Sequence, residues 1–196
     1  MTTSSLSRTA VTSEPIHEVL AERWSPRSFD PSVEVPAEKI TAALEAARWS
    51  ASASNTQPWR FIVARRGTPE HATIVENLMG FNQAWAGSAA VLIVNLAALA
   101  AVDGTPMRWA QYDLGQAVAN LTVQAHHDGL HVHQMGGIEV DGLRAAFSID
   151  AALEPISVTA LGVLGTPEAL ENDFLREREV APRVRLPLDE LVLVSA

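Results

Sequence analysis

Residues 86–102, A-G-S-A-A-V-L-I-V-N-L-A-A-L-A-A-V, form the longest apolar run in the chain. The run falls short of the roughly 18 consecutive apolar residues that a membrane-crossing helix requires. It is also largely alanine, and Gly87, Ser88 and Asn95 interrupt it. Its centre, 90–96, therefore reads as a strand buried on both faces.

Helices and strands alternate outward from that strand. Upstream, 61–64 reads as a short strand, and Thr68-Pro69 opens a helix running through Met79. Pro36 opens an amphipathic helix with Ile40, Leu44 and Ala47 on one face, and Ser13 caps a short one carrying Ile16, Val19 and Leu20. Downstream, 110–127 predicts a long helix that Gly129 stops. A strand over 157–163, a charged helix from Pro167 to about Val180 and an extended segment over 188–194 complete the chain. The pattern is that of a sheet covered by helices.

A length of 196 residues favours one domain. With 47% hydrophobic and 19% charged residues, the composition excludes disordered, collagen-like and disulfide-scaffold classes. Cysteine is absent, which removes thiolate nucleophiles, cysteine-ligated zinc and iron–sulfur chemistry and suits a reducing, cytoplasmic setting. A net charge of −9 argues against a nucleic-acid surface. Yet the cations cluster: Lys39 is the only lysine, while Arg23 and Arg27 stand near the start and Arg183 and Arg185 near the end. Local arginine pairs on an acidic chain suggest a small bound anion. The opening M-T-T-S-S-L-S-R-T-A-V-T has no apolar core of a secretory signal, so 1–13 is expected to be a disordered polar tail preceding one domain over 14–196.

G-x-G-x-x-G, Walker-type G-x-x-x-x-G-K-[ST], G-x-S-x-G and H-E-x-x-H are all missing. Four histidines, His126, His127, His131 and His133, crowd one stretch, but no acid stands at ligand spacing, and an exposed histidine-rich turn is expected there rather than a metal site. Three further stretches offer binding groups. Arg23-Trp24-Ser25-Pro26-Arg27-Ser28-Phe29 sets two guanidiniums and two hydroxyls around a stiff proline, which suits a phosphate or a polarised ring carbonyl. A solvated arginine loop is the equal alternative. Residues 50–59 supply short hydroxyls and an amide, with a plain capping loop as the competing reading. Gly136-Gly137 can turn backbone N–H groups toward a ligand, or simply make a turn.

In order, five motifs carry a resemblance to the FMN-dependent nitroreductase family: R-W-S-P-R-S-F at 23–29, S-A-S-N-T-Q-P-W at 52–59, D-L-G-Q-A-V-A-N-L at 113–121, G-L followed by M-G-G within 129–137, and R-V-R-L-P-L-D-E-L at 183–191. The resemblance runs from about Ile16 to Val194. It implies an α+β fold, a three-layer α/β/α arrangement with a central mixed, largely antiparallel sheet. It also implies an intertwined homodimer with FMN at the interface and a C-terminal segment that reaches across.

The same resemblance assigns residues. Arg23, Ser25, Arg183 and Arg185 match positions that hold the FMN phosphate and ribityl chain, and Arg27 matches a cation at the pyrimidine edge, where it stabilises charge on the reduced flavin. Ser52, Ser54 and Asn55 match a loop from the other subunit, and Asn82 an amide near the pyrimidine. Gly136 and Gly137 match backbone donors to the flavin ring, while Trp24 and Trp109 are candidates to line the stacking slot. Trp59 and Trp85 read as core tryptophans.

The chain departs from the pattern at Trp85, where some relatives carry a second cation, and at Gln134, often a proline. The segment between Leu96 and Gln111 is short, implying a more open pocket. The implied activity is two-step electron transfer from NAD(P)H to a nitroaromatic, quinone or similar electron-poor molecule, with no nucleophilic side chain required. Alternatives within the fold are dehalogenation, azoline oxidation and flavin fragmentation. Outside enzymology, a flavin-binding sensor or storage module remains open. Neither nucleic acid nor membrane is expected as a partner, and no metal is.

Overall fold

The computed structural model describes residues 8–194. Strand β2 (Val91–Ala98) divides the interior between its two faces. Val91, Ile93 and Ala97 join a cluster with Ile40 and Ala43 of helix α2 (Ala37–Arg48) and Leu121 of α5 (Ala110–His127). Leu92, Val94 and Leu96 join another, with Ile74 of α3 (Pro69–Glu76) and Trp85 of α4 (Gly80–Ala86). Because helices cover both faces, the strand is apolar throughout instead of alternating. Its one polar residue, Asn95, is buried but bonded: its amide donates to Ser157 Oγ at 3.0 Å and Thr159 Oγ1 at 2.8 Å.

β1 (Trp59–Arg65), β3 (His131–Met135) and β4 (Leu153–Gly162) complete a four-stranded sheet in the order β1-β2-β4-β3. All three ladders are antiparallel, which corrects the expectation of a mixed sheet. The connections from β1 to β2 and from β3 to β4 each return the chain beside its predecessor in the opposite sense, so no parallel pair arises among the described residues.

The long helix α5 has its expected bounds, and α2 starts after Pro36 as expected. Other boundaries moved. His17, not Ser13, caps α1 (Glu18–Glu22), leaving Ile16 and Leu20 exposed. The helix opened by Thr68 ends at Glu76, and the separate α4 follows. A further unforeseen helix, α6 (Val140–Phe147), links β3 to β4, and β4 begins at Leu153 instead of Ser157. Helix α7 (Asp173–Val180) starts at the Asn172 cap, whose side chain accepts from Leu175 N–H, and only a short 3-10 turn occupies Pro167–Ala169. Over 188–194, expected to be extended, there is one helical turn, α8 (Leu188–Leu191).

Residues 1–7 of the expected polar tail lie outside the described residues. Beyond them, Ala10 N–H donates to Ala21 O at 2.8 Å beside α1, and Arg8 Nη2 donates to Ala181 O at 2.7 Å, which ties this segment to the far end of the sequence.

Candidate functional site

Arg23 closes α1, and the chain then runs extended across the end of β4. Asp30 N–H donates to Val163 O, Gly165 N–H to Ser28 O, and Ser28 Oγ–H to Thr166 O. The approach is close because of two glycines: a Cβ on Gly165 would sit 2.6 Å from Ser28 Oγ, and one on Gly162 2.9 Å from Phe29 Cδ1. Three contacts fix the turn on its other sides. Glu179 of α7 accepts from Arg27 N–H at 2.9 Å and Ser28 N–H at 3.1 Å. His133 Nδ1–H donates to Pro26 O at 2.8 Å, and its ring stacks on Trp85 with centroids 4.6 Å apart.

Cations from both ends of the sequence gather around this turn. Arg23 Nη2 donates to Ser25 Oγ at 2.9 Å, and the Arg8 guanidinium lies 3.8 Å over the Trp24 ring. Arg183 Nη1 donates to Arg8 O and Ala21 O. Burial, and then the fields of Arg183 and Arg185, hold the Arg23 guanidinium below its ordinary pKa. Burial followed by Arg178 does the same at Arg27. Guanidiniums pressed together without enough counter-charge call for an anion.

Buried polar atoms without a partner point to the same place. Among the described residues they are Arg8 Nη1, Arg23 Nε, Arg27 Nε, Trp85 Nε1, His131 Nδ1 and Asn95 Oδ1; all but the last belong to this turn and its neighbours. Native interiors leave few such atoms, and a cluster of donors marks a ligand position. A cleft of about 400 Å³ opens beside Arg23, walled by Leu114, Val118 and Thr122 of α5 and by Gln134 of β3.

Other predicted residues lie elsewhere. Asn82 Nδ2 donates to Gly137 O at 3.1 Å, and a Cβ on Gly137 would stand 2.9 Å from that nitrogen, whereas Gly136 has open space. Ser54 and Asn55 take positive φ values of 51° and 57° in a tight turn after α2. Ser52 lines a second cleft of about 240 Å³ with Trp109, Tyr112 and Asp113, and the two clefts share no lining residue. Trp24 is half-buried with its ring edge-on to His131, Trp109 is exposed, and Trp59 and Trp85 are core residues.

The histidines do not form the exposed turn expected of them. His131 and His133 are half-buried on β3, and both are held at about 4, mainly by burial. The His126 and Arg23 charges depress His131 further, and those of Arg27 and Arg23 act on His133. Both rings are therefore neutral near pH 7, and the bond to Pro26 assigns the proton of His133 to Nδ1. Glu179, which fixes this turn, is a residue that the sequence reading missed. Within Arg176-Glu177-Arg178-Glu179 it looks like one more charge on a solvated helix, and nothing local marks it as buried.

The fold and this turn define an α+β protein with an arginine-lined turn where residues from both ends of the sequence meet. The chain belongs to the Nitroreductase family, whose profile matches residues 20–163. It is similar to an uncharacterized 15.4 kDa protein of Mycolicibacterium smegmatis, with 35% identity over 69% of this chain and 95% of that one. A shorter match, 47% identical over 25% of this chain and 22% of the relative, is to the major NAD(P)H-flavin oxidoreductase of Aliivibrio fischeri. Among solved structures, an oxidoreductase containing FMN superposes with a TM-score of 0.89 at 35% identity, covering 96% of each chain. No helix among the described residues is long and apolar enough to cross a membrane.

Proposed function

We propose that this chain is a cytoplasmic FMN-dependent oxidoreductase that takes electrons from NAD(P)H and, in a second half-reaction, gives them to a nitroaromatic, quinone or similar electron-poor molecule. One observation carries the reading: Arg23 feels Arg183 and Arg185 across the length of the chain, at a turn rich in partnerless buried donors. The FMN-containing neighbour and the flavin oxidoreductase relative support it.

The residues present fit the cofactor. Arg23, Ser25, Arg183 and Arg185 would hold its phosphate and ribityl chain, with charge-assisted hydrogen bonds that replace the mutual repulsion of the guanidiniums. Arg27 and Asn82 would face the pyrimidine ring, and the backbone N–H groups of Gly136 and Gly137 its reactive edge. Trp24 would pack beside it. When bound, FMN supplies two-electron chemistry, accepting a hydride from the nicotinamide and passing the electrons on. No side chain of this protein needs to act as a nucleophile; its residues orient the ring and place positive charge where negative charge develops.

Ser52, Ser54 and Asn55, which line a different region of the same chain, would act on the cofactor of a second copy. The proposal therefore includes an intertwined homodimer with three-layer subunits and FMN at the interface.

Purified protein should show the visible absorption of a flavin, release FMN on denaturation and bleach with NADH or NADPH; menadione or nitrofurazone should then restore the colour. A colourless protein that FMN cannot reconstitute sinks the reading. Flavin that stays oxidised with excess NADH and NADPH rejects the enzyme and leaves a binding module.

A further inference from the structure

Beside the turn stands an aromatic pair that the preceding assignments leave without a task. Phe81 of α4 and Phe174 of α7 meet edge to face, with centroids 5.7 Å apart and planes at 73°. Both are well exposed, at 46% and 54%, as is the neighbouring Met79. A guanidinium flanks each ring: Arg27 Cζ lies 5.8 Å from the Phe81 centroid and Arg178 Cζ 5.5 Å from that of Phe174.

Neither guanidinium makes an ion pair within 4 Å among the described residues, although the Glu179 charge partly offsets the positive field at Arg27. Ion pairs within 4 Å among the described residues are Arg48–Glu45 and Arg176–Asp173 only. The nearby Glu179 carboxylate is taken up by the N–H groups of Arg27 and Ser28. Arg178 adds to the depression of the Arg27 pKa, so the pair is mutually repulsive as it stands. Exposed aromatic surface with the exposed Arg178 guanidinium at its rim is complementary to a flat ring that carries a negative group. Its position is apt, because Asn82, which follows Phe81 on α4, bonds Gly137 O in the segment assigned to the flavin edge.

We propose that Phe81, Phe174 and Arg178 form the acceptor-binding wall of the enzyme and select planar aromatic carboxylates over their uncharged analogues. This rests on the FMN oxidoreductase reading. The rings pack against the substrate ring while the carboxylate lies at the Arg178 guanidinium, leaving the electron-poor substituent toward the cofactor. For a nitro group, NAD(P)H is oxidised to NAD(P)+ and the substrate takes two electrons and two protons, giving the nitroso compound and water.

The test uses the FMN-loaded protein with unreactive probes first. Benzoate should bind, by calorimetry, about tenfold tighter than benzyl alcohol. Arg178→Ala, at an exposed position, should remove most of that preference, and Phe174→Leu should weaken both probes alike. In turnover, KM for 4-nitrobenzoate should lie below that for 4-nitrobenzyl alcohol, and Arg178→Ala should close the gap. Equal affinity for the two probes, or a preference that survives Arg178→Ala, overturns the proposal. So does an Arg178→Ala effect confined to NADPH against NADH, which would put a dinucleotide phosphate there, or one confined to FMN content. Protection of Phe81 and Phe174 from hydroxyl-radical footprinting without probe also overturns it, since another copy of the chain would then cover the wall. If flavin still bleaches with NAD(P)H while charge preference is absent, only this inference falls; if the protein takes up no FMN, both fall.

Discussion

The Glu179 carboxylate accepts the backbone N–H of Arg27 at 2.9 Å across 152 residues of sequence. Glu179 is only 3% exposed, and it anchors helix α7 to the arginine turn near the other end of the sequence. Burial raises its pKa, while the two N–H bonds and the charges of Arg27 and Arg8 oppose that rise.

Glu179→Ala strands the Arg27 and Ser28 N–H groups in the interior. Each such loss costs about 1–3 kcal/mol, so urea denaturation should show a stability drop of about 2–6 kcal/mol. Glu179→Gln keeps an acceptor and should lose less. If the alanine variant is as stable as the parent, the contact does not hold the turn.

His131 and His133 make stability depend on acid. Their pKa values of about 4 lie below the ordinary 6.5, so the unfolded chain binds protons that the folded one refuses. Their contribution is fully present above pH 6.5 and declines as the pH falls toward 4, by up to about 3 kcal/mol for each ring and by less at the more solvated His131. The difference in urea midpoint between the parent and a His131→Asn, His133→Gln double variant should narrow over that window. A constant difference would mean that neither ring is kept neutral by the fold.

Gly136 and Gly137 should respond differently to one methyl group. Gly137→Ala pushes Asn82 away and should cost about 1–2 kcal/mol in the flavin-free protein, while Gly136→Ala meets nothing and should leave its melting temperature in place. Similar melting curves for both variants would contradict the close approach at Gly137.

Arg183 and Arg185 separate binding from folding. Arg183 donates to two backbone carbonyls that join the chain ends, whereas Arg185 reaches only its neighbour's carbonyl, Val184 O. Arg185→Ala should therefore weaken FMN binding about tenfold with little change in melting temperature. Arg183→Ala should lower both. Flavin titration beside calorimetric melting distinguishes the two. An Arg185→Ala variant with undiminished FMN affinity removes that residue from the phosphate site.

The parts of the fold visible in the sequence are those whose signal is local. β2 was legible because an apolar run too short to cross a membrane has few other places to go, and α5 because its apolar spacing is uninterrupted up to Gly129. Helix α4 was not, since it opens on Gly80 with no side-chain cap. Helix α6 carries Gly142 inside it, which reads as a breaker; the structure needs it because a Cβ there would collide with Asn77 Oδ1. The arginines of the site were legible as pairs out of keeping with an acidic chain. What orients them was not: Glu179 and His133 act through contacts 152 and 107 residues distant, and their immediate neighbours carry no sign of it.

Arg8 donates a hydrogen bond to Ala181 O, and Arg183 in turn to Arg8 O and Ala21 O, so the polypeptide is stitched shut at one point. The sheet and its flanking helices have their own buried clusters, whereas the gathering of arginines forms only when residues 162 and 175 positions apart are brought together. Under the proposed function, cofactor uptake would therefore report on closure of this long-range seam and not merely on formation of the sheet.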